Sequence, residues 1–334
     1  MVSLNPWRRL RKAWHYHLQT QREIVEASRA AASEQRTTLE ELGSTLGELR
    51  SAVGANQTAF DELRSATGAT KQLMQVLLRQ QYRELANRGG PLPDFADVEF
   101  RCNSQNGEDG ILLYIFSLIG TTNRKVLEIC AGSGIECNAA NLILNHGFRG
   151  LLFDGNTELI EYGRAFYAAH PDTFVSPPQL VTAWITAETI NDRVAEHGFT
   201  GDIDLLSLDL DGNDYWIWKA LTVVRPRVVI LEFNGACGPE VTATMSYNSD
   251  YRCDYTAPAR WGASLSAFVK LGRAKGYRLV GMQKLGFNAF FIHAGIGAHV
   301  LPEVTAAELY ARRPNDWSAA AEAITNGPVS WERV

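Results

Sequence analysis

Two sets of residues in this sequence have the types and spacing to do chemistry. The first is Val126-Leu-Glu-Ile-Cys-Ala-Gly-Ser-Gly134, a short apolar run through Glu128 that continues into Ala131, Gly132, Ser133 and Gly134. It reads as a buried strand entering a tight turn and then a helix. Glycine lets a ligand lie against bare backbone, and the start of the following helix offers unpaired N–H groups. A dinucleotide phosphate usually meets G-x-G-x-x-G at such a turn. Here the pattern is Glu-x-Cys-x-Gly-x-Gly, and an acid before the turn suits a cationic amino group better than a phosphate. An ordinary strand–turn–helix with no ligand is the plain alternative. The second set is Asp209, Asp211, Glu232 and Asn234, oxygen donors that close two apolar runs, Ile203 to Asp211 and Arg227 to Asn234.

The elements that must position these residues follow at regular intervals. Ser104-Gln-Asn-Gly-Glu-Asp-Gly-Ile-Leu112 reads as a capped helix before the first strand. Glu108 and Asp109 suit the helix dipole as first-turn acids, and Glu108 is also a candidate ligand contact. Further strands are expected at 150–154, 179–186, 203–211 and 227–234. Residues 278–283 and 288–293 form a closing hairpin around Lys284 to Phe287. Apolar runs alternating with helices indicate an α/β fold with a parallel sheet covered on both faces. Seven strands ending in an antiparallel hairpin make a Rossmann-like plan. From Gly235 to Gly262 runs a long insert with Tyr247, Asn248, Tyr251, Arg252, Asp254, Tyr255, Arg260 and Trp261. An insert of this length is functional or disordered, and its aromatic and polar mixture reads as a lid. After Pro302 the Ala- and Glu-rich tail with Trp317 and Trp331 is expected to be a helix packed on the domain.

From about Asn103 to Ala294 the chain resembles the S-adenosylmethionine-dependent methyltransferases, and within them the FkbM-type O-methyltransferases. The resemblance rests on Val126 to Gly134, Phe153-Asp154-Gly155, Ile203-Asp-Leu-Leu-Ser-Leu-Asp-Leu-Asp-Gly212 and Leu231-Glu-Phe-Asn234. Two departures stand out: Cys130, where glycine is common, and Asp211 followed by Asn213-Asp214, where many members carry Glu-Gly. The resemblance implies S-adenosylmethionine as cofactor and a sugar or glycan hydroxyl as methyl acceptor. It implies that Glu128, Ala131, Gly132 and Gly134 hold the methionine end and that Asp154 takes the ribose hydroxyls. Glu108 is a further contact, and Trp184 flanks the adenine or, alternatively, belongs to the sheet core. Asp209, Asp211 and Glu232 are the implied catalytic residues. With Asn234 they form a hard oxygen cluster at one rim that suits Mg²⁺ or another divalent cation. A lone carboxylate base with Glu232 and Asn234 bonding the substrate is the alternative. His293 is either a base from the last strand or a core histidine.

The N-terminal third differs in kind. Residues 20–88 are rich in Glu, Arg, Gln, Ala and Leu, with a four–three seam through Leu39, Leu42, Leu46, Leu49, Val53, Asn56, Phe60 and Leu63. That spacing is a coiled-coil pattern and implies a homo-oligomer; a single helix folded back on the domain is the alternative. Residues 1–19 hold Arg8, Arg9, Arg11 and Lys12 with Trp7, Trp14 and Tyr16 and no acid. They read as a membrane-surface helix or as a disordered basic tail. Asn87-Arg-Gly-Gly-Pro-Leu-Pro93 breaks any helix and divides a stalk from a domain at 94–334. Of the 334 residues 46% are apolar and 21% charged, enough for a sizeable core. The net charge of −5 argues against nucleic acid as a partner. Five scattered cysteines without zinc spacing fit reduced thiols in the cytoplasm, with peripheral contact at the inner membrane face. An NAD-dependent oxidoreductase and a non-catalytic Rossmann-type scaffold acting through its coiled coil are the competing functional readings.

Overall fold

The computed structural model describes residues 6–253, 262–312 and 331–334. Asp254, Tyr255, Arg260 and Trp261 of the insert, Trp317 of the tail, and the side chains of Trp7, Arg8 and Arg9 lie outside the described residues. The chain divides into two compact units, Met1–Leu73 and Met74–Val334.

The described residues of the first unit are part of one helix, α1 (Pro6–Asn87). Proline at its first position costs no hydrogen bond, and strong helix formers dominate thereafter. Arg11, Lys12, Trp14 and Tyr16 are thus helical, so the disordered-tail alternative does not hold for them. Leu39, Leu42, Leu46, Leu49, Val53, Phe60 and Leu63 are exposed along this helix. The compact second unit begins at Met74, inside α1 rather than at the Asn87–Pro93 break. The reason is a second stripe, Gln75, Leu78, Tyr82 and Leu85, which packs on the globular core.

The second unit continues with α2 (Phe95–Val98), α3 (Glu108–Ile119), β1 (Lys125–Ile129), α4 (Ala140–His146), β2 (Arg149–Asp154), α5 (Thr157–Ala169) and β3 (Gln179–Thr182). After these come α6 (Ile190–Glu196), β4 (Gly201–Leu208), α7 (Asp214–Ala220), β5 (Val224–Glu232), β6 (Ala243–Met245) and α8 (Leu265–Ala274). The last elements are β7 (Tyr277–Met282), β8 (Asn288–His293), α9 (Ala306–Ala311) and β9 (Trp331–Arg333). Seven strands form one sheet in the order β3-β2-β1-β4-β5-β8-β7. The first five are parallel, and β8 runs against β5 and β7. This is the expected Rossmann-like seven-stranded plan with its terminal antiparallel hairpin. Val, Ile and Leu on both faces of β1, β4 and β5 give a buried layer on each side. One is built around Trp218, Phe268 and Phe291, the other around α3, α4 and Phe290.

Two expectations fail. Trp331 is not helical: β9 pairs antiparallel with β6 of the insert, Met245 opposite Trp331. A three-residue strand whose partner lies some ninety positions earlier leaves no periodic trace in sequence. His293 is neither a core residue nor near the carboxylates. It is exposed, because β8 runs antiparallel and carries its C-terminal residue to the opposite end of the sheet, where Ile292 faces Val228.

Candidate functional site

The site is built at the carboxyl ends of the parallel strands, where open α/β sheets bind ligands. Register and alternation select its residues. Glu128 lies opposite Ser207, and Ser207 opposite Ile230; on that face the next alternate position of β5 is Glu232.

Glu128 is buried and saturated. Oε1 accepts from Asn138 N (3.0 Å) and Ser207 Oγ (3.1 Å), and Oε2 accepts from Ala139 N (2.7 Å). Burial raises its pKa. This acid therefore takes the N–H groups at the start of α4 that a pyrophosphate would need, which removes the basis for the dinucleotide reading. The turn itself matches the sequence. Gly132 has φ +58° and open space where a Cβ would point, and Cys130 holds φ +63°. Left-handed backbone at a non-glycine residue is costly, so the glycine-to-cysteine departure sits at a strained point. Ser133 O lies 2.0 Å from where a Cβ on Gly163 would be, so only glycine lets α5 support the turn. Ala131 donates its N–H to Phe153 O (3.0 Å), and Tyr167 Oη donates to the Gly134 carbonyl. Asp154, partly buried, accepts from Gly132 N (2.8 Å) and Asn156 N (2.7 Å), tying the ends of β1 and β2 together.

A cavity of 40 Å³ lies beside the turn, lined by Glu108, Glu128, Cys130, Glu136, Asp209 and Asn288 among others. Glu108 accepts from Asn106 N (3.0 Å) and Asn288 Nδ2 (2.9 Å). Among the described residues the buried Asn288 Oδ1 has no hydrogen-bond partner. A space walled by carboxylates and a spare carbonyl suits a protonated amine. Asn288 escaped the sequence reading because it opens the antiparallel strand, and only pairing with Glu232 brings it here. A cavity of 820 Å³ along β7, between Leu92–Phe95 and Val300–Arg312, holds none of these carboxylates.

Asp209, Asp211 and Glu232 do meet: one carboxylate oxygen from each lies within 4.8 Å of the others. They do so differently from the expected strand alternation. β4 ends at Leu208, and Asp211 is folded back in a left-handed turn with φ +55°. Asp214, fully buried at the start of α7, folds that turn by accepting from Leu210 N (2.8 Å) and Gly212 N (3.0 Å). The sequence showed Asp214 only as a departure from a family pattern. Burial, then the surrounding carboxylates, push the Glu232 acid up strongly. Asp209 is raised by burial and Asp214. Among the described residues the buried Glu232 Oε2 has no hydrogen-bond partner. Asn234 is buried, and its Oδ1 accepts from Ala236 N (3.0 Å) to cap a short 3₁₀ turn.

The described part of the insert crosses this rim. Asn213 Nδ2 donates to Asn248 O (2.8 Å), and Trp216 Nε1 to Met245 O (2.8 Å). Tyr251 occupies the space a Cβ on Gly212 would need. Tyr247 Oη donates to Glu188 (2.6 Å). Trp184 is 46% exposed rather than part of the sheet core, since β3 ends at Thr182. Its ring covers Gly155, its Nε1 donates to Ser249 O (2.7 Å), and Arg252 lies 4.8 Å over it.

No family model and no curated protein matches the chain. Among solved structures it is similar to the methyltransferase domain of bacterial CtHen1, at 17% identity over 55% of this chain and 97% of that one, with a TM-score of 0.37. It is also similar to the CcbJ methyltransferase from Streptomyces caelestis (15%, 60% and 96%, 0.36). A third is the glycopeptide N-methyltransferase MtfA complexed with S-adenosyl-L-homocysteine (12%, 60% and 98%, 0.35).

Proposed function

We propose that this chain is an S-adenosylmethionine-dependent O-methyltransferase of FkbM-like type acting on a hydroxyl of a sugar or glycan. The observation that carries the reading is the arrangement of one rim: an open glycine turn, an acceptor-walled amine cavity and Asp154 lie beside the Asp209–Asp211–Glu232 cluster. When bound, S-adenosylmethionine supplies a sulfonium-borne methyl group for in-line transfer. Glu108 and Asn288 provide acceptors for its ammonium, and Glu128 fixes the backbone before α4 that borders them. Asp154 accepts from the ribose hydroxyls, Gly132 leaves room for the chain of the ligand, and Trp184 offers a flat face. Asp209, raised toward neutrality, takes the proton of the acceptor hydroxyl, as suits a general base. The insert orients the acceptor and excludes water, so most of the rate gain comes from positioning.

The cluster also fits a divalent cation. Its donors are all oxygen, its carboxylates crowd one another, and the Glu232 Oε2 has no hydrogen-bond partner among the described residues. Asp209, Asp211 and Glu232, with Asn234 alongside, would hold Mg²⁺, which lowers a bound hydroxyl's pKa. Calorimetric titration with S-adenosylhomocysteine, with and without Mg²⁺, tests the reading. Micromolar binding supports it, and no binding in either condition overturns it.

The exposed seam of α1 supports a homo-oligomer through residues 20–88, read by light scattering of the full chain; a monomeric mass refutes it. Residues 1–19 are proposed to touch the inner membrane face from the cytoplasm. No described helix is long and apolar enough to cross a membrane. Failure to float with anionic vesicles would remove the membrane contact.

A further inference from the structure

At the opposite end of the sheet, where β1 begins, a second pocket gathers cations. It has a volume of 60 Å³ and is lined by Arg79 and Arg83 of α1, Arg124 of the loop before β1, and His146 at the end of α4, over an apolar floor that includes Leu113 and Phe148. Among the described residues no carboxylate lines it. Arg79 and Arg83 stand one turn apart and so share a helix face. Among the described residues none of the three arginines enters an ion pair. The buried Arg79 Nε has no hydrogen-bond partner among the described residues. Arg83 donates from Nε to Ser117 O at a long 3.4 Å.

The carboxylate that holds the loop before β1, Asp204 of β4, does not line the pocket. Asp204 already accepts from the N–H groups of Thr122, Asn123 and Arg124, from the Thr122 hydroxyl and from Arg227. In doing so it holds Arg124 at φ +52°, a strained conformation for a non-glycine residue. His146 Nε2 lies 2.7 Å from Gln75 Oε1 and donates to it. That bond joins His146 to a buried network of Gln75 and Asn141. Burial, then Arg79 and Arg124, depress the imidazole pKa, as expected where like charges converge without an anion.

A buried donor without an acceptor is costly, and converging guanidinium groups are the usual recognition element for phosphate. We propose that this pocket binds a phosphate group, as free phosphate or as the phosphate of a small ester. A volume of 60 Å³ holds one tetrahedral oxyanion and not an organic ligand, for which pockets run to about 300 Å³ or more. The body of any ester therefore lies outside the mouth, beside the exposed Thr121.

The test is calorimetric titration of the full chain with inorganic phosphate and with glycerol phosphate, at an ionic strength held constant with chloride. Saturable binding is expected, at least tenfold weaker in Arg79→Gln and Arg124→Gln. The tighter of the two probes identifies the source of the phosphate. Arg124 is exposed, so its variant folds even if the Arg79 variant does not. No heat beyond that of chloride overturns the proposal. So does unchanged affinity in folded Arg124→Gln, which would place the anion elsewhere. The S-adenosylhomocysteine titration reads the other end of the sheet, so the two outcomes are independent.

Discussion

Replacing Glu232 with glutamine keeps the shape of the side chain and removes its ionisation. In the fold, burial and then Asp209, Asp214 and Asp211 hold this acid far above its ordinary value of 4.5. The unfolded chain ionises near that ordinary value, so above it the unfolded chain binds fewer protons than the fold. Stability from this group is complete below 4.5 and is lost as pH rises toward the raised folded value. The slope is about 1.36 kcal/mol per pH unit, or roughly 2.7 kcal/mol between pH 5 and pH 7 for one fully protonated group. Urea unfolding of both proteins in a chelating buffer at these two pH values reads the difference directly. The wild-type protein should lose roughly 2–3 kcal/mol more than Glu232→Gln over this interval. A divalent cation at a hundredfold excess over its dissociation constant should return about 2.7 kcal/mol to the wild type at pH 7 and much less to the variant. Parallel pH curves for the two proteins would refute the electrostatic account of the cluster. Equal stabilisation by Mg²⁺ would refute Glu232 as a ligand.

Asp154→Asn should weaken S-adenosylhomocysteine binding by about 1.5–3 kcal/mol, the scale of a hydrogen bond to a charged group, as read by calorimetry; unchanged affinity would remove Asp154 from the site. Asp204→Asn leaves Arg227, which is only 13% exposed at its side chain, without its charge partner and should cost about 3–5 kcal/mol in urea unfolding. His146 is pushed down to about 4 from 6.5 by burial and then by Arg79 and Arg124. Its neutral form therefore stabilises the fold above pH 6.5, and this is lost as pH falls through about 4. His146→Asn should flatten the stability curve in that window by at most about 3 kcal/mol. Gly54 meets nothing within 4 Å in α1, so Gly54→Ala should strengthen the helix by about 1 kcal/mol, seen as a higher midpoint in thermal circular dichroism of the full chain.

What the sequence determined by itself was the order and type of the main elements. Seven apolar runs separated by helix-length segments, with a closing hairpin, specify a parallel sheet covered on both faces, because continuous apolarity means burial on two sides. The acids at the ends of those runs were legible for the same reason: a strand that stops at an acid stops at the rim. The long helix was legible in its periodicity over 20–88, while its extension back to Pro6 was not. Other features lie between segments rather than within them. Glu128 reads as a ligand residue until the fold shows that the start of α4 has taken both of its oxygens. Asp211 reads as the next alternate position of a strand until Asp214 turns the chain back. Trp184 passes for core until β3 proves two residues too short to bury it. Asn288, His293 and Trp331 owe their surroundings to antiparallel pairing, which brings distant positions together by register alone. Periodicity reports whether a side chain faces inward, and the tertiary structure decides which partner meets it there. Buried polar groups depend entirely on that partner, because without one their desolvation goes uncompensated.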